Sequence, residues 1–168
     1  MVILGLGSNI GDRLAHLRAA NWRLSAILQD IRLSRILESP AMLPPDAPPD
    51  IDHPFLNMVV SGTTTLTLQE LFSAVKAIER DLGRVQRCVW GPREIDIDIL
   101  AMGDLVMESA ELTIPHRGIL QRDFVMLPLA EIAPEWRYPV SGPFYNMRAE
   151  EIIVANGYVL SDKLSVYE

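Results

Sequence analysis

The sequence predicts an α+β fold built on a mainly antiparallel sheet, and three observations carry that prediction. Apolar runs with strand character recur at Val2–Leu6, Phe55–Leu66 and Glu94–Leu100. Segments with helical spacing lie between them. The two types interleave without a regular βαβ rhythm and without phosphate-loop glycines, so a doubly wound parallel sheet is the poorer fit. A length of 168 residues suits one domain, 1–168.

Val2–Leu6 reads as a buried first strand, with Gly5, Gly7 and Ser8 forming its turn. A helix follows, with Asp12 near its start and Leu14, Leu17, Leu24 and Leu28 as its apolar stripe. Ile31–Glu38 reads as a second strand. Residues 40–54 hold six of the chain's twelve prolines. Missing backbone donors and fixed φ angles forbid regular structure there, so this is a long loop of the kind that often covers a binding site. The strand Phe55–Leu66 leads to a capping box, Thr67 with Glu70, and to a helix with Leu71, Val75, Ile78 and Leu82 on one face. Gly83 suits a left-handed stop. Glu94–Leu100 alternates as a strand should, and Gly103-Asp104 would turn it into Leu105–Glu108 as a hairpin. Phe124–Ile132 and Met147–Ala155 complete the set as helices.

Composition narrows the function classes. Fifteen Lys and Arg against 22 Asp and Glu give a net charge of -7, which disfavours a nucleic-acid coat or an anionic-membrane binder. The most apolar stretch, Phe124–Ala133, is too short to span a bilayer. The lone Cys88 allows no internal disulfide, has no zinc-ligand spacing, and fits a reducing compartment. The N-terminus carries no basic leader, so a cytoplasmic protein is expected.

The chemistry concentrates in Arg93–Leu100. In a strand, Ile95, Ile97 and Ile99 point to the core, and Asp96 and Asp98 share the opposite face about 6.5–7 Å apart. Strands are depleted in Asp. Two neighbouring carboxylates repel unless a cation lies between them, and hard oxygen ligands at that spacing suit Mg²⁺. The same pattern also fits a merely solvated strand face. Trp90-Gly91-Pro92-Arg93 immediately before the pair, with Arg84 and Arg87 upstream, favours a site for metal-bound polyphosphate. A second cluster, Leu112–His116 with Arg122 and Phe124, offers an imidazole and a further guanidinium. His16 and His53 read as structural.

These residues resemble a known family. Gly5-Leu6-Gly7-Ser8-Asn9, Phe55-Leu56-Asn57, Glu79 with Gly83-Arg84-Val85, Trp90-Gly91-Pro92-Arg93 with Asp96 and Asp98, and Ile114-Pro115-His116 with Arg122 and Phe124 occur in the order found in 6-hydroxymethyl-7,8-dihydropterin pyrophosphokinases. The resemblance runs from the first strand to about Glu135. It implies a ferredoxin-like-type α+β domain with mobile active-site loops, acting in folate biosynthesis. The terminal diphosphate of ATP would pass to the pterin hydroxymethyl oxygen, releasing AMP. By similarity, Asp96 and Asp98 hold two Mg²⁺, and Arg84, Arg93, His116 and Arg122 contact the triphosphate. Glu79, Trp90, Ile99, Leu112 and Thr113 match the ATP site. Asn57 would hydrogen-bond a pterin held between Phe55 and Phe124 under Trp90, with Ser39, Pro40, Met42 and Asp96 around it. A monomer acting on small molecules, without nucleic acid or membrane, is expected.

The chain departs from the family pattern in its short, weakly basic 84–90 segment and its long Pro-rich loop. It also carries Glu111 where a basic residue is common, and Arg117 where an aromatic is common. Two other readings stay open: a nucleotidyl transferase or cyclase, which would use the paired Asp but leave Trp90, Asn57 and Phe124 without a task, and a non-catalytic nucleotide-binding module.

Overall fold

In the computed structural model, residues 1–46, 51–85, 87 and 90–167 are described; Cys88 and residues 47–50 of the Pro-rich loop, with two of its six prolines, lie outside them. The elements run β1 (Val2–Ser8), α1 (Arg13–Leu24), β2 (Gln29–Leu33), β3 (Leu37–Ser39), β4 (Phe55–Thr63), α2 (Leu68–Asp81), β5 (Asp96–Met102), β6 (Met107–Glu108), β7 (Thr113–Ile114), α3 (Asp123–Ile132), α4 (Ala149–Asn156) and β8 (Ser165–Val166). The main sheet has the order β5-β1-β4-β3-β8, with β2 also beside β4, and every pairing is antiparallel. This is the α+β arrangement the sequence predicts.

Each face of the sheet meets a pair of helices. Leu4 and Leu6, Leu56 and Met58, and Ile97 and Ile99 pack against Leu17 and Leu24 of α1 and Leu71 and Val75 of α2. On the other face Ile3, Val59 and Leu100 pack against Val125, Met126 and Leu129 of α3 and Ile152 of α4. That second cluster covers only one end of the sheet. The far side of β5 is therefore apolar at Leu100 and polar at Asp96 and Asp98.

The caps behave as their residue types require. The Asp12 carboxylate accepts the Ala15 N–H at 3.0 Å and starts α1. Thr67 and Glu70 make a reciprocal capping box at the start of α2. Gly83 stops that helix at φ 86°.

Several element boundaries differ from the sequence reading. β1 continues through Gly5 and Gly7 to Ser8 rather than turning there, because β4 and β5 pair with it on both sides. Leu28 is buried but lies beyond α1. The stretch 31–38 divides into β2 and β3: the Ser34 hydroxyl takes the Val59 N–H at 2.9 Å and so displaces a ladder hydrogen bond. β4 ends at Thr63 and α4 begins at Ala149.

The expected hairpin from β5 does not form. Leu105 N–H does close a turn onto the Met102 carbonyl, but Met107–Glu108 then pairs with Thr113–Ile114. The β5 edge receives the following segment instead, through the His116 N–H on the Leu100 carbonyl at 2.8 Å. That contact carries His116 to the acidic face. No described helix is long and apolar enough to cross a membrane.

Candidate active site

Strand register builds the site floor. Asp96, Gly7 and Asn57 face one another in a single row across β5, β1 and β4. Asp98, Gly5 and Val59 form the next row. The central strand thus contributes only glycines between the carboxylates and the amide. A Cβ on Gly7 would approach Asn57 Oδ1 to 3.1 Å and the Phe55 ring to 3.4 Å. Glycine inside a strand often marks close approach by another group, and here it opens a recess.

That recess is a cavity of about 250 Å³. Ser39, Pro40, Met42, Phe55, Asn57, Trp90, Arg93, Asp96, Asp98, Arg122 and Phe124 all line it. Asn57 is buried and donates its amide to the Ser39 hydroxyl at 2.8 Å, which leaves Oδ1 facing the recess. A second cavity, of about 310 Å³, lies on the other side of β5. Lys76, Ile97, Ile99, Glu111, Leu112, Thr113, His116 and Arg117 are among its walls. Asp98 lines both cavities.

The two carboxylates differ electrostatically. Asp96 accepts Arg84 Nη1 and Arg93 Nη1, each at 2.7 Å. Burial pushes its carboxyl up, but Arg93, Arg84 and Lys76 together hold it below the ordinary value. Asp98 has no such clamp; the His116 ring lies nearby, Nε2 to Oδ2 3.8 Å. Burial pushes the Asp98 carboxyl up, and the Asp96 charge adds to that push. A cation beside Asp98 would relieve both causes.

His116 is set by its other nitrogen. The Gly118 N–H donates to Nδ1 at 3.0 Å, so Nδ1 is an acceptor and Nε2 carries the ring proton toward Asp98. Burial also lowers the His116 pKa, against the pull of Asp98.

Glu79 stands beneath the walls rather than in them. It is 3% exposed, accepts the Ile97 N–H at 2.7 Å and Lys76 Nζ at 2.9 Å, and pairs with Arg84. Burial pushes its carboxyl up in spite of Lys76. Arg87 forks onto Glu94 at 2.9 and 2.6 Å, and that hydrogen bonding holds Glu94 at about 2. Glu94 also accepts the Val85 N–H at 3.2 Å, so it closes the short segment before β5 on itself. Most residues singled out from the sequence line one of the two adjoining cavities; Glu79 and Arg84 line neither, and Arg84 instead bridges Glu79 and Asp96.

Lys76 escaped the sequence reading, and Asn9 entered it only as part of a motif, without a role. Lys76 lines the second cavity; its spacing from Phe72 and Glu79 on one helix face was the available signal. Asn9 exchanges backbone hydrogen bonding with Arg93, accepting its N–H on Oδ1 at 2.7 Å and donating its own N–H to the Arg93 carbonyl at 3.1 Å. It also donates Nδ2 to the His53 carbonyl at 3.2 Å. Its side chain thereby ties the Arg93 approach to the exit of the Pro-rich loop, a contact with no local sequence signature. His16 and His53 line neither cavity.

The chain is similar to several known proteins. It is 40% identical over 139 residues to the 2-amino-4-hydroxy-6-hydroxymethyldihydropteridine pyrophosphokinase of Aquifex aeolicus, covering 83% of this chain and 84% of that one. The folate synthesis bifunctional protein of Chlamydia caviae is 39% identical over 150 residues, which cover 88% of this chain but 34% of that protein. Among solved structures, the Plasmodium falciparum HPPK-DHPS crystallised with pteroate superposes with a TM-score of 0.69 at 13% identity, over 98% of this chain and 47% of that one. This last likeness shows the fold alone. The chain thus spans about a third of the bifunctional relative and about half of the crystallised chain. The model of the 7,8-dihydro-6-hydroxymethylpterin-pyrophosphokinase family matches residues 3–134, the segment that holds both cavities and the paired carboxylates. By that match and the sequence identity with its relatives, the chain belongs to the 7,8-dihydro-6-hydroxymethylpterin-pyrophosphokinase family.

Proposed function

We propose that the two cavities are the two substrate sites of this pyrophosphokinase, the first for the dihydropterin and the second for ATP. The family reaction, pyrophosphoryl transfer from ATP to the hydroxymethyl oxygen of the dihydropterin in folate synthesis, is the function of the chain. The observation that carries the site assignment is Asp98, which lies in the wall common to both cavities. Reacting groups held in either cavity would meet there.

The linings suit their proposed occupants. A planar heterocycle with several hydrogen-bonding edges needs aromatic faces and convergent amide partners. Phe55 and Phe124 supply the faces, Asn57 and Ser39 the partners, and Trp90, 51% exposed, stands over the mouth. The second cavity offers Lys76, His116 and Arg117 to an anionic ligand.

Asp96 and Asp98 fit Mg²⁺ by donor chemistry, because this ion takes one or two carboxylates and completes its shell with phosphate oxygens and water. The raised Asp98 carboxyl also marks a place short of positive charge. Mg²⁺ bound there would neutralise the polyphosphate and stabilise the attacking and leaving oxygens. The chain's own residues supply the rest by positioning and electrostatics. Arg84 and Arg93 rest on Asp96, within reach of the same space. In the transfer, the pterin hydroxyl oxygen forms a bond to the β-phosphorus and releases its proton to water, the bond from that phosphorus to the α-phosphate oxygen breaks, and AMP leaves. No side chain is assigned as general base. All of these groups come from one chain, which supports a monomer as the working unit; a cytoplasmic location is part of the same proposal.

Incubation with ATP, Mg²⁺ and 6-hydroxymethyl-7,8-dihydropterin is expected to yield AMP and pterin diphosphate in equal amounts. Release of inorganic pyrophosphate would instead support the nucleotidyl-transferase reading of the paired Asp. Phe124→Ala is expected to weaken pterin binding roughly 5- to 150-fold, since stacking on an aromatic face is worth about 1–3 kcal/mol. An unchanged pterin Kd by calorimetry would remove Phe124 from the pterin site.

A further inference from the structure

Arg122 reaches the first cavity without a side-chain hydrogen bond or close ion pair among the described residues, although its charge acts on Asp98 and His116. It lines that cavity beside Asp98, it caps α3 through its backbone only, and its guanidinium makes no hydrogen bond or ion pair with a described residue. A long cation held by no hydrogen bond keeps one direction only where there is room for it. Gly118 gives that room. A Cβ at position 118 would lie 2.6 Å from Arg122 Nε and 2.8 Å from Cζ, inside any permitted contact. The guanidinium therefore occupies the space where a side chain would stand.

The same residue touches the other phosphate candidate. Its N–H donates to His116 Nδ1 at 3.0 Å, which turns Nε2 toward Asp98. The turn itself makes no demand for glycine. Ile119 N–H closes it onto the His116 carbonyl at 2.9 Å, and the Gly118 φ lies outside the left-handed region. Backbone conformation thus gives no reason for glycine here, whereas the Arg122 contact does.

We infer that Gly118 is a positioning residue for the transfer: its bare Cα seats the Arg122 guanidinium, and its N–H orients His116. The inference rests on the reading of His116 and Arg122 as contacts to the transferred phosphates. Alanine at 118 keeps the N–H and the turn, so it tests the Arg122 seat alone.

The experiment compares Gly118→Ala, Arg122→Ala and the double variant by AMP formation, with melting temperature measured for each. Gln121→Ala, an exposed neighbour in the same turn, serves as the control. Gly118→Ala is expected to lose kcat on the order of 10- to 100-fold, the scale for a misplaced group near the reacting centre, with an unchanged melting temperature. In the Arg122→Ala background the same change is expected to cost nothing further. Full activity of Gly118→Ala overturns the inference. So does an equal loss in both backgrounds, because Gly118 would then act through something other than Arg122. A fully active Arg122→Ala enzyme removes Arg122 from the site, and the inference falls with it. A crippled Arg122→Ala beside an active Gly118→Ala refutes the Gly118 role alone.

Discussion

Asp98→Asn is expected to reduce AMP formation by at least ~10³-fold at saturating ATP and Mg²⁺. Asp98 is the side chain shared by the two cavities. Metal-held charge at that point is worth several kcal/mol in the transition state, and each ~1.36 kcal/mol is a factor of ten. The fold should not suffer. Asp98 has a raised carboxyl in the folded chain, so the native state holds its proton more tightly than the unfolded state does. Stability therefore falls as pH rises from the ordinary carboxylate value through the raised one, and the full penalty remains at neutral pH. Neutral Asn removes it. Metal-free Asp98→Asn is expected to melt at or above the temperature of the unaltered chain, and this difference should vanish at a pH below the ordinary carboxylate value. Substantial AMP formation, or a marked drop in melting temperature at neutral pH, would contradict the assignment.

Glu79→Ala is expected to destabilise the fold by at least ~1–3 kcal/mol, the cost of leaving the buried Ile97 N–H without an acceptor. For a chain of this length each kcal/mol corresponds to about 2–4 °C in melting temperature. Glu79→Gln should behave differently. The amide oxygen can still accept from Ile97, and burial has already raised the Glu79 carboxyl, so its charge is held against a desolvation penalty. Lys76 and Arg84 remain partly accessible and can turn to water. The Gln variant should therefore keep most of the stability that the Ala variant loses, as read by urea denaturation. Equal losses in the two variants would mean that the ion pairs, not the acceptor, hold this corner together.

Much of the molecule was legible because its signals are local. The capping box at Thr67 and Glu70, the stripe Leu71, Val75 and Ile78, and the stop at Gly83 need only neighbours along the helix to be read. The alternation of Ile and Asp in Glu94–Leu100 likewise placed Asp96 and Asp98 on one face. The errors arose where a distant group decided. Ser34 divides one expected strand because its hydroxyl meets Val59. The hairpin after Gly103 fails because the β5 edge is taken by residues beyond it. The segment 136–167, which the resemblance does not reach, supplies α4 against α3 and the edge strand β8.

The sequence by itself determined the element types, the acidic pair and, through ordered motifs, the family resemblance, since these depend on residue type and short spacing. It could not show why Gly5 and Gly7 matter, which requires β4 and β5 on either side of them. Nor could it show that Glu79 supports the site from below, that Lys76 joins its wall, or that Asn9 links two loops. Those roles depend on strand register and on side chains far apart in the chain. The tertiary structure alone decided that Asp98 faces both cavities and that the two carboxylates, Asp96 clamped by Arg84 and Arg93 and Asp98 without such a clamp, respond differently to burial. Charge pattern follows from sequence, but the field at one carboxylate depends on which charges packing brings within a few ångströms.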